Sequence, residues 1–290
     1  MKFISKFFDQ EKTAYYIFTV IALTTIAALF LIAFFIMKEG VPLIAKEGLF
    51  KFIFGRLWEP SSGVYGIYAM IIGSIWITIG AMVIGIPLGL ACAIVLAEFA
   101  SYKAAMVIKP ALELLAGIPS VVYGFIGMVV LAPIIRKYLG GPGFSVLTAS
   151  IVLGIMILPT IISISIDSLK AVPSSYREGS YALGATKWQT TWMVVLPAAG
   201  SGIIASIILG MGRAVGETMA VIMVAGNSIK VPHSILDPVR TLTSNIALEM
   251  GYATGDHQKA LFATGVILFV MIMVLNIIAN VALKRKLSKK

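Results

Sequence analysis

Two ionisable residues interrupt an apolar run in residues 210–221, GMGRAVGETMAV: Arg213 and Glu217. An arginine or a carboxylate at the centre of a membrane helix costs roughly 2.5–3.5 kcal/mol on insertion scales, so such residues face a bundle interior or a path for solute. The four-residue spacing predicts that they share one helix face and can interact. The chemistry open to them is the handling of an anion. A guanidinium presents a planar fork of donors that suits oxyanions such as phosphate, and the carboxylate can hold the arginine between passages or repel the anion onward. An internal salt bridge, or an arginine snorkelling to headgroups, fits the same pattern without transport. Gly212 and Gly216 place Arg213 within a G-x-x-x-G, which lets a neighbouring helix come close.

A second candidate is Ala116-Gly-Ile-Pro119-Ser120, where helix breakers fall inside an apolar window. Broken helices at membrane depth are tolerated where the freed backbone meets protein or a water-filled path. Ser120, Tyr123 and Gly124 are therefore candidates to line a route, with a proline kink packed by small residues as the alternative. A third candidate, residues 167–197, is polar. Ser175-Tyr-Arg-Glu178 and Thr186-Lys-Trp-Gln189 both fit capping boxes, predicting two short helices. Gly184 can supply the left-handed residue that ends the first, and the second runs through Pro197 into the next apolar stretch. Gly179, Ser180, Ala182 and Gly184 give the first helix a surface small enough to enter another protein's groove. A loop helix lying on the membrane, with Tyr181, Leu183 and Trp188 dipping in, is the competing reading.

The elements that must position these residues follow from composition. Of 290 residues 59% are hydrophobic and 12% charged, about half the charged share of a soluble domain. Charge-free windows predict an all-α, polytopic membrane bundle of six spans near residues 14–37, 67–97, 114–135, 144–166, 198–225 and 260–283, within one domain covering 1–290. Pro87, between Gly85 and Gly89, should kink the second span, and Pro159 the fourth. Counting from Pro197, Arg213 lies about 24 Å along a continuous helix, beyond the midplane.

Six spans put both termini on one side. With the termini inside, inner segments carry 13 Lys and Arg against 9 outside, and the basic run at 284–290 adds weight to cytoplasmic termini. The same rule accounts for the +10 net charge, and without a basic stripe interleaved with aromatics, nucleic-acid binding is not expected. The first apolar run is long enough to span and lacks a cleavage site of the A-x-A type, so it reads as a span rather than a removed leader. Cys92, the single cysteine, excludes an intramolecular disulfide. Glu113 is expected near the inner end of the third span. His233 and His257 are too far apart in sequence, and too poor in neighbouring ligands, to suggest a metal site, and read as surface residues. The outer segments 38–63 and 226–259 are the expected docking surface for an external protein.

Glu178-Gly-Ser, three residues, Gly184, nine residues, then Val194-Val-Leu-Pro197 resembles the EAA loop of ABC-importer permeases, with Gly-Ser in place of Ala-Ala and Val in place of Ile. GMGRAVGETMAV, RLWEP with YGIY, GIPLGLACAIVLAEFAS and LELLAGIPSVVYGF together resemble the phosphate-specific permeases of ABC importers, of the PstC type more than the sister PstA type. The resemblance covers roughly residues 54–221. It implies a type I importer permease that makes and breaks no bonds itself and imports inorganic phosphate. The expected partners are a PstA-type sister permease, two copies of a PstB-type ATP-binding subunit and a PstS-type external phosphate-binding protein. It implies that Glu178, Gly179, Ser180, Ala182, Gly184 and Pro197 couple to the ATPase, and that Arg213, Glu217, Ser120 and Tyr123 line the substrate path. No cofactor is expected on this chain. ATP and magnesium would sit on the partner, in keeping with the lack of a G-x-x-x-x-G-K-[ST] here. A permease for sulfate or molybdate and a self-sufficient secondary transporter are the alternatives, the latter requiring inverted repeats that the sequence does not show.

Overall fold

In lipid every backbone amide and carbonyl must find a partner within its own segment, so long apolar stretches become helices. The computed structural model of the chain describes residues 2–287. The basic run at 284–290 extends beyond them. Helix α1 (Lys2–Glu47) is followed by the short α2 (Leu49–Phe54) and a two-stranded antiparallel hairpin, β1 (Trp58–Glu59) with β2 (Val64–Tyr65). This hairpin is a small addition to the all-α expectation. Then come α3 (Tyr68–Ile94), prolonged by a π-helical turn over Val95–Phe99, and α4 (Tyr102–Gly117). Helix α5 (Ser120–Ile126) continues through a second π-turn, Gly127–Leu131, into α6 (Ala132–Tyr138), and α7 (Val146–Lys170) follows. The polar segment holds α8 (Ser174–Ala182), α9 (Lys187–Thr190), a third π-turn over Thr191–Val195 and α10 (Leu196–Ala198). The chain ends with α11 (Gly200–Gly216), α12 (Met219–Val224), α13 (Leu242–Glu249) and α14 (Gly255–Leu287).

Among the described residues five helices are long and apolar enough to cross a membrane: Ala14–Glu47, Tyr68–Phe99, Ser120–Tyr138, Val146–Lys170 and Gly255–Ala279. A sixth passage exists only if Lys187–Ala198 and Gly200–Gly216 are taken as one broken span, bent by 69°. The fifth passage therefore departs from the continuous helix over 198–225 that its apolar run predicts. It turns at Ala199, after Pro197 and before three small residues, and breaks again at Glu217, whose backbone is extended (φ −67°, ψ 130°). The third passage begins at Ser120 rather than near 114, because Ile118 and Pro119 leave helical geometry.

Helices α3 and α7 form the spine. Lipid is as apolar as the side chains, so helices associate through close packing rather than through escape from water. The contact here is a seam of glycines. A Cβ at Gly85 would lie 2.7 Å from Ile157, one at Gly89 2.8 Å from Ile161, and one at Gly80 would overlap Ser150. Gly85 and Gly89 thus flank Pro87 for packing, and α3 keeps helical geometry through the proline. Pro159 is likewise contained within α7. Around the seam Ile77, Ala81, Leu153, Ile157 and Ile161 are buried with Val221 and Val224 of α12. Helix α11 joins through Ser165 and Ser206, whose buried hydroxyls lie 2.9 Å apart, a kind of contact worth about 0.6 kcal/mol inside a membrane. Helix α1 packs on α14, where a Cβ at Gly40 would lie 2.7 Å from the Ala263 backbone.

Candidate functional site

The two helix breaks lie together. Helix α5 starts immediately after Pro119, α12 after Thr218, and they pack through Gly124, where a Cβ would meet Met223 at 2.8 Å and the Ala220 Cα at 2.9 Å. Tyr123 packs on the buried cluster around the α3–α7 seam and donates from its hydroxyl to the Leu115 carbonyl at 2.6 Å. That carbonyl belongs to the last turn of α4, where the following break removes its helical partner. Ser120, half-buried, opens α5.

Arg213 is in the last turn of α11 and exposed on the chain. It does not pair with Glu217. The helix ends at Gly216, so Glu217 leaves the face that four-residue spacing assigns to it. The Glu217 Oε1 accepts instead from the Ala220 amide at 3.1 Å, at the start of α12, and its own carbonyl accepts from Thr243 at 3.0 Å. Arg213 donates one hydrogen bond, Nη1 to Thr160 Oγ1 at 2.8 Å. Thr160 lies past the middle of α7 on the Lys170 side. The bend at Ala199 accounts for this depth, because the membrane run of α11 starts only after it. Among the described residues Arg213 makes no other hydrogen bond or ion pair.

The polar hairpin lies at the Lys170 end of α7. Its first helix begins at Ser174, with Pro173 as the residue before it and no side-chain cap. Pro173 (φ −54°, ψ 141°) sets the helix start two residues earlier than the predicted box, so Ser175 falls inside the first turn and cannot cap. Gly184 ends the segment at φ +82°, and the Thr186–Gln189 box forms with both reciprocal bonds. Glu178, Gly179, Ala182 and Gly184 are exposed, with nothing within 4 Å of a Cβ built on either glycine. Leu183 is 90% exposed at the tip. Ser180 turns inward and shares a hydrogen bond with Thr190 at 2.9 Å. Pro197 is exposed in α10.

Beside Glu178 stands a residue that sequence reasoning passes over. The Arg177 Nη2 donates to Glu98 Oε1 at 2.6 Å and to the Leu169 carbonyl at 2.9 Å, and Nη1 donates to the Val172 carbonyl at 2.8 Å. Nothing in a separation of 79 positions announces the pair. The available signal is that Glu98 is the charge that closes the long apolar window beginning at Val64.

At the opposite end of α3, Glu249 is buried and accepts from three donors. These are Trp58 Nε1 at 2.8 Å, Arg240 Nη1 at 2.6 Å and a ring nitrogen of His257 at 2.9 Å. His257 is thus a half-buried partner of a carboxylate and not a surface residue, because α13 folds residues 226–259 back over the hairpin. His233 is exposed as expected. Burial pushes the nearby Tyr65 phenol above its ordinary range, with Asp256 and Glu47 adding to the shift. Glu113 is exposed on α4, beside a cavity it shares with Lys109, Asp167 and Lys170. Among the described residues no three metal-ligating side chains gather.

Against known proteins, residues 85–289 match the model of the family described as binding-protein-dependent transport system inner membrane component. The chain is 44% identical over 262 residues to the probable ABC transporter permease protein YqgH of Bacillus subtilis, covering 88% of this chain and 85% of that one. It is 36% identical over 304 residues to the phosphate transport system permease protein PstC of Xylella fastidiosa (98% and 91% covered). With the probable phosphate transport system permease protein PstC of Methanocaldococcus jannaschii the identity is 33% (92% and 93% covered). Among solved structures it resembles a chain of the inward-facing MetNI methionine ABC transporter, with TM-score 0.56, 20% identity and 79% and 99% coverage. It also resembles a chain of a bacterial alginate ABC transporter bound to its periplasmic protein, with TM-score 0.60, 15% identity and 91% and 95% coverage. At these identities the likeness is one of fold.

Proposed function

The chain belongs to the family of binding-protein-dependent transport system inner membrane components, and from that premise we propose that it is a membrane-spanning subunit of an ATP-driven importer of inorganic phosphate. The observation that carries the reading is Arg213: a cation at membrane depth, exposed on the chain, with one hydrogen bond to Thr160 and the remaining donors of its fork free for an oxyanion. The PstC relatives supply the identity of that oxyanion.

An exposed guanidinium in a membrane, on a chain that also leaves Leu209, Val121 and Phe125 exposed, calls for a second protein surface, because a charge facing hydrocarbon is costly. In this reading a PstA-type sister permease covers that face, and the path runs between the two chains past Arg213, Tyr123, Ser120 and Glu217. The exposed Glu178–Gly184 hairpin contacts the PstB-type ATPase, which holds ATP and magnesium. The termini and the hairpin are cytoplasmic. A PstS-type protein delivers phosphate to the opposite end, built from residues 38–63 and 226–259. ATP closure on the hairpin switches access, and the anion is released inward.

The test is to purify the chain with whatever accompanies it, reconstitute the assembly in proteoliposomes and measure ATP-dependent uptake of labelled phosphate. Sulfate and molybdate serve as competitors. Uptake insensitive to either and dependent on ATP is expected. Preferential uptake of sulfate or molybdate would sink the phosphate reading, and uptake by the chain alone without any ATPase would sink the importer.

A further inference from the structure

A push on the hairpin needs a stiff route into the membrane, and the chain's own continuation is not one. Between α8 and α11 lie the left-handed Gly184, the π-turn Thr191–Val195 and the 69° bend at Ala199. π-turns and bends are where helices give way.

Arg177 offers another route. Its three guanidinium nitrogens are all engaged: Nη1 with the Val172 carbonyl, Nη2 with the Leu169 carbonyl and Glu98 Oε1, and Nε with Glu98 Oε2 at 3.4 Å. Glu98 lies in the π-turn that ends α3, and its side chain is only 7% exposed. One side chain of α8 is therefore fastened to the ends of both spine helices. Glu178, the next residue and about 100° around the helix, is exposed, so the fastening and the outward surface lie on different faces of α8.

We propose that Arg177 is the positioning residue through which movement of α8 reaches the membrane, delivered to the ends of α3 and α7 and not along the fifth passage. From Leu169, α7 rises nine residues, about 13.5 Å, to Thr160, which holds Arg213. The glycine seam makes α3 and α7 move together, and the Ser165–Ser206 contact carries the displacement to α11. This rests on the reading that α8 contacts an ATPase.

The experiment measures phosphate taken up per ATP hydrolysed, in proteoliposomes holding the whole assembly, for wild type, E98Q, R177M and A199G. E98Q and R177M are expected to keep the ATPase on purification and to hydrolyse ATP, yet to move about tenfold less phosphate per ATP. A199G keeps the wild-type ratio. A wild-type ratio in E98Q overturns the proposal. So does an A199G protein as uncoupled as E98Q. If E98Q or R177M fails to assemble, E98D takes its place, keeping the charge and shortening its reach: a lowered ratio supports the strut and an unchanged one overturns it. A wild-type assembly that lacks an ATPase removes the hairpin reading and this proposal with it. If the wild type moves sulfate instead, only the substrate reading falls, and the same ratios are read with sulfate.

Discussion

Arg177 and Arg213 are both held by α7, one at its end and one near its middle, yet they are treated oppositely. Arg177 gives all its nitrogens to a carboxylate and two backbone carbonyls. Arg213 gives one donor to a hydroxyl and keeps the rest unspent among the described residues. Arg240, at the far end, lies nearer the first pattern, with Nε on the Asn227 carbonyl and Nη1 shared between Asn245 and Glu249. A saturated guanidinium has no capacity for a ligand and acts as a fastening. An unsaturated one, at a depth where charge is costly, is the one we propose to meet the anion.

That contrast can be broken at either pole. The largest effect is expected from R213A, which abolishes phosphate uptake while shifting the stability of the assembly by less than about 0.5 kcal/mol, checked by uptake and thermal unfolding side by side. Unchanged uptake would reduce Arg213 to a structural charge. Next is E249A, which strands Arg240, His257 and Trp58 around an empty position. Stability should fall by roughly 3–5 kcal/mol, the usual cost of removing one partner of a buried charge cluster, seen as a lower Tm in detergent. Smaller is G85V, which forces a branched side chain into the α3–α7 seam. Overpacking of this kind costs about 1–3 kcal/mol, and a neutral result in the same Tm assay would mean that the seam is looser than its geometry.

T160V removes the single hydrogen bond of Arg213, worth about 0.5–1.5 kcal/mol. It should raise the KM for phosphate up to about tenfold with little change in maximal rate, and T160S should restore it. The smallest effect is expected from E217Q. The amide oxygen still accepts from Ala220, so uptake and stability should move by less than about 0.5 kcal/mol. A transport-dead E217Q would show that the carboxylate's charge, and not its cap, matters, and would place Glu217 beside Arg213 as a second working group.

Much of this was legible in the residues, and for identifiable reasons. Apolar runs bounded by Lys and Arg located the membrane helices, since lipid leaves the backbone few options. Gly184 and the Thr186–Gln189 box could be read locally because turns and caps are satisfied within a few residues. The break at Pro119 was readable for the same reason. The Arg213–Glu217 pairing failed because spacing assumes an unbroken helix, and the break at Glu217 has no proline to announce it; Thr243, far along the chain, holds the extended backbone there. Contacts across long separations had no local signature. Arg177 with Glu98, and His257 with Glu249, depend on how the helices are brought together, and a lone histidine carries no mark of what will fold over it.

The glycine seam has one further consequence. Two rods pressed together at Gly80, Gly85, Gly89 and Gly154 cannot slide or roll past one another without collision, so the pair behaves as a single plank. Any change between outward and inward access must then be taken up at joints elsewhere, and the molecule has few: the turn at Pro119, the elbow at Ala199 and the break at Glu217. Spin labels placed across the plank should keep their separation through the transport cycle, while labels placed across the joints should not.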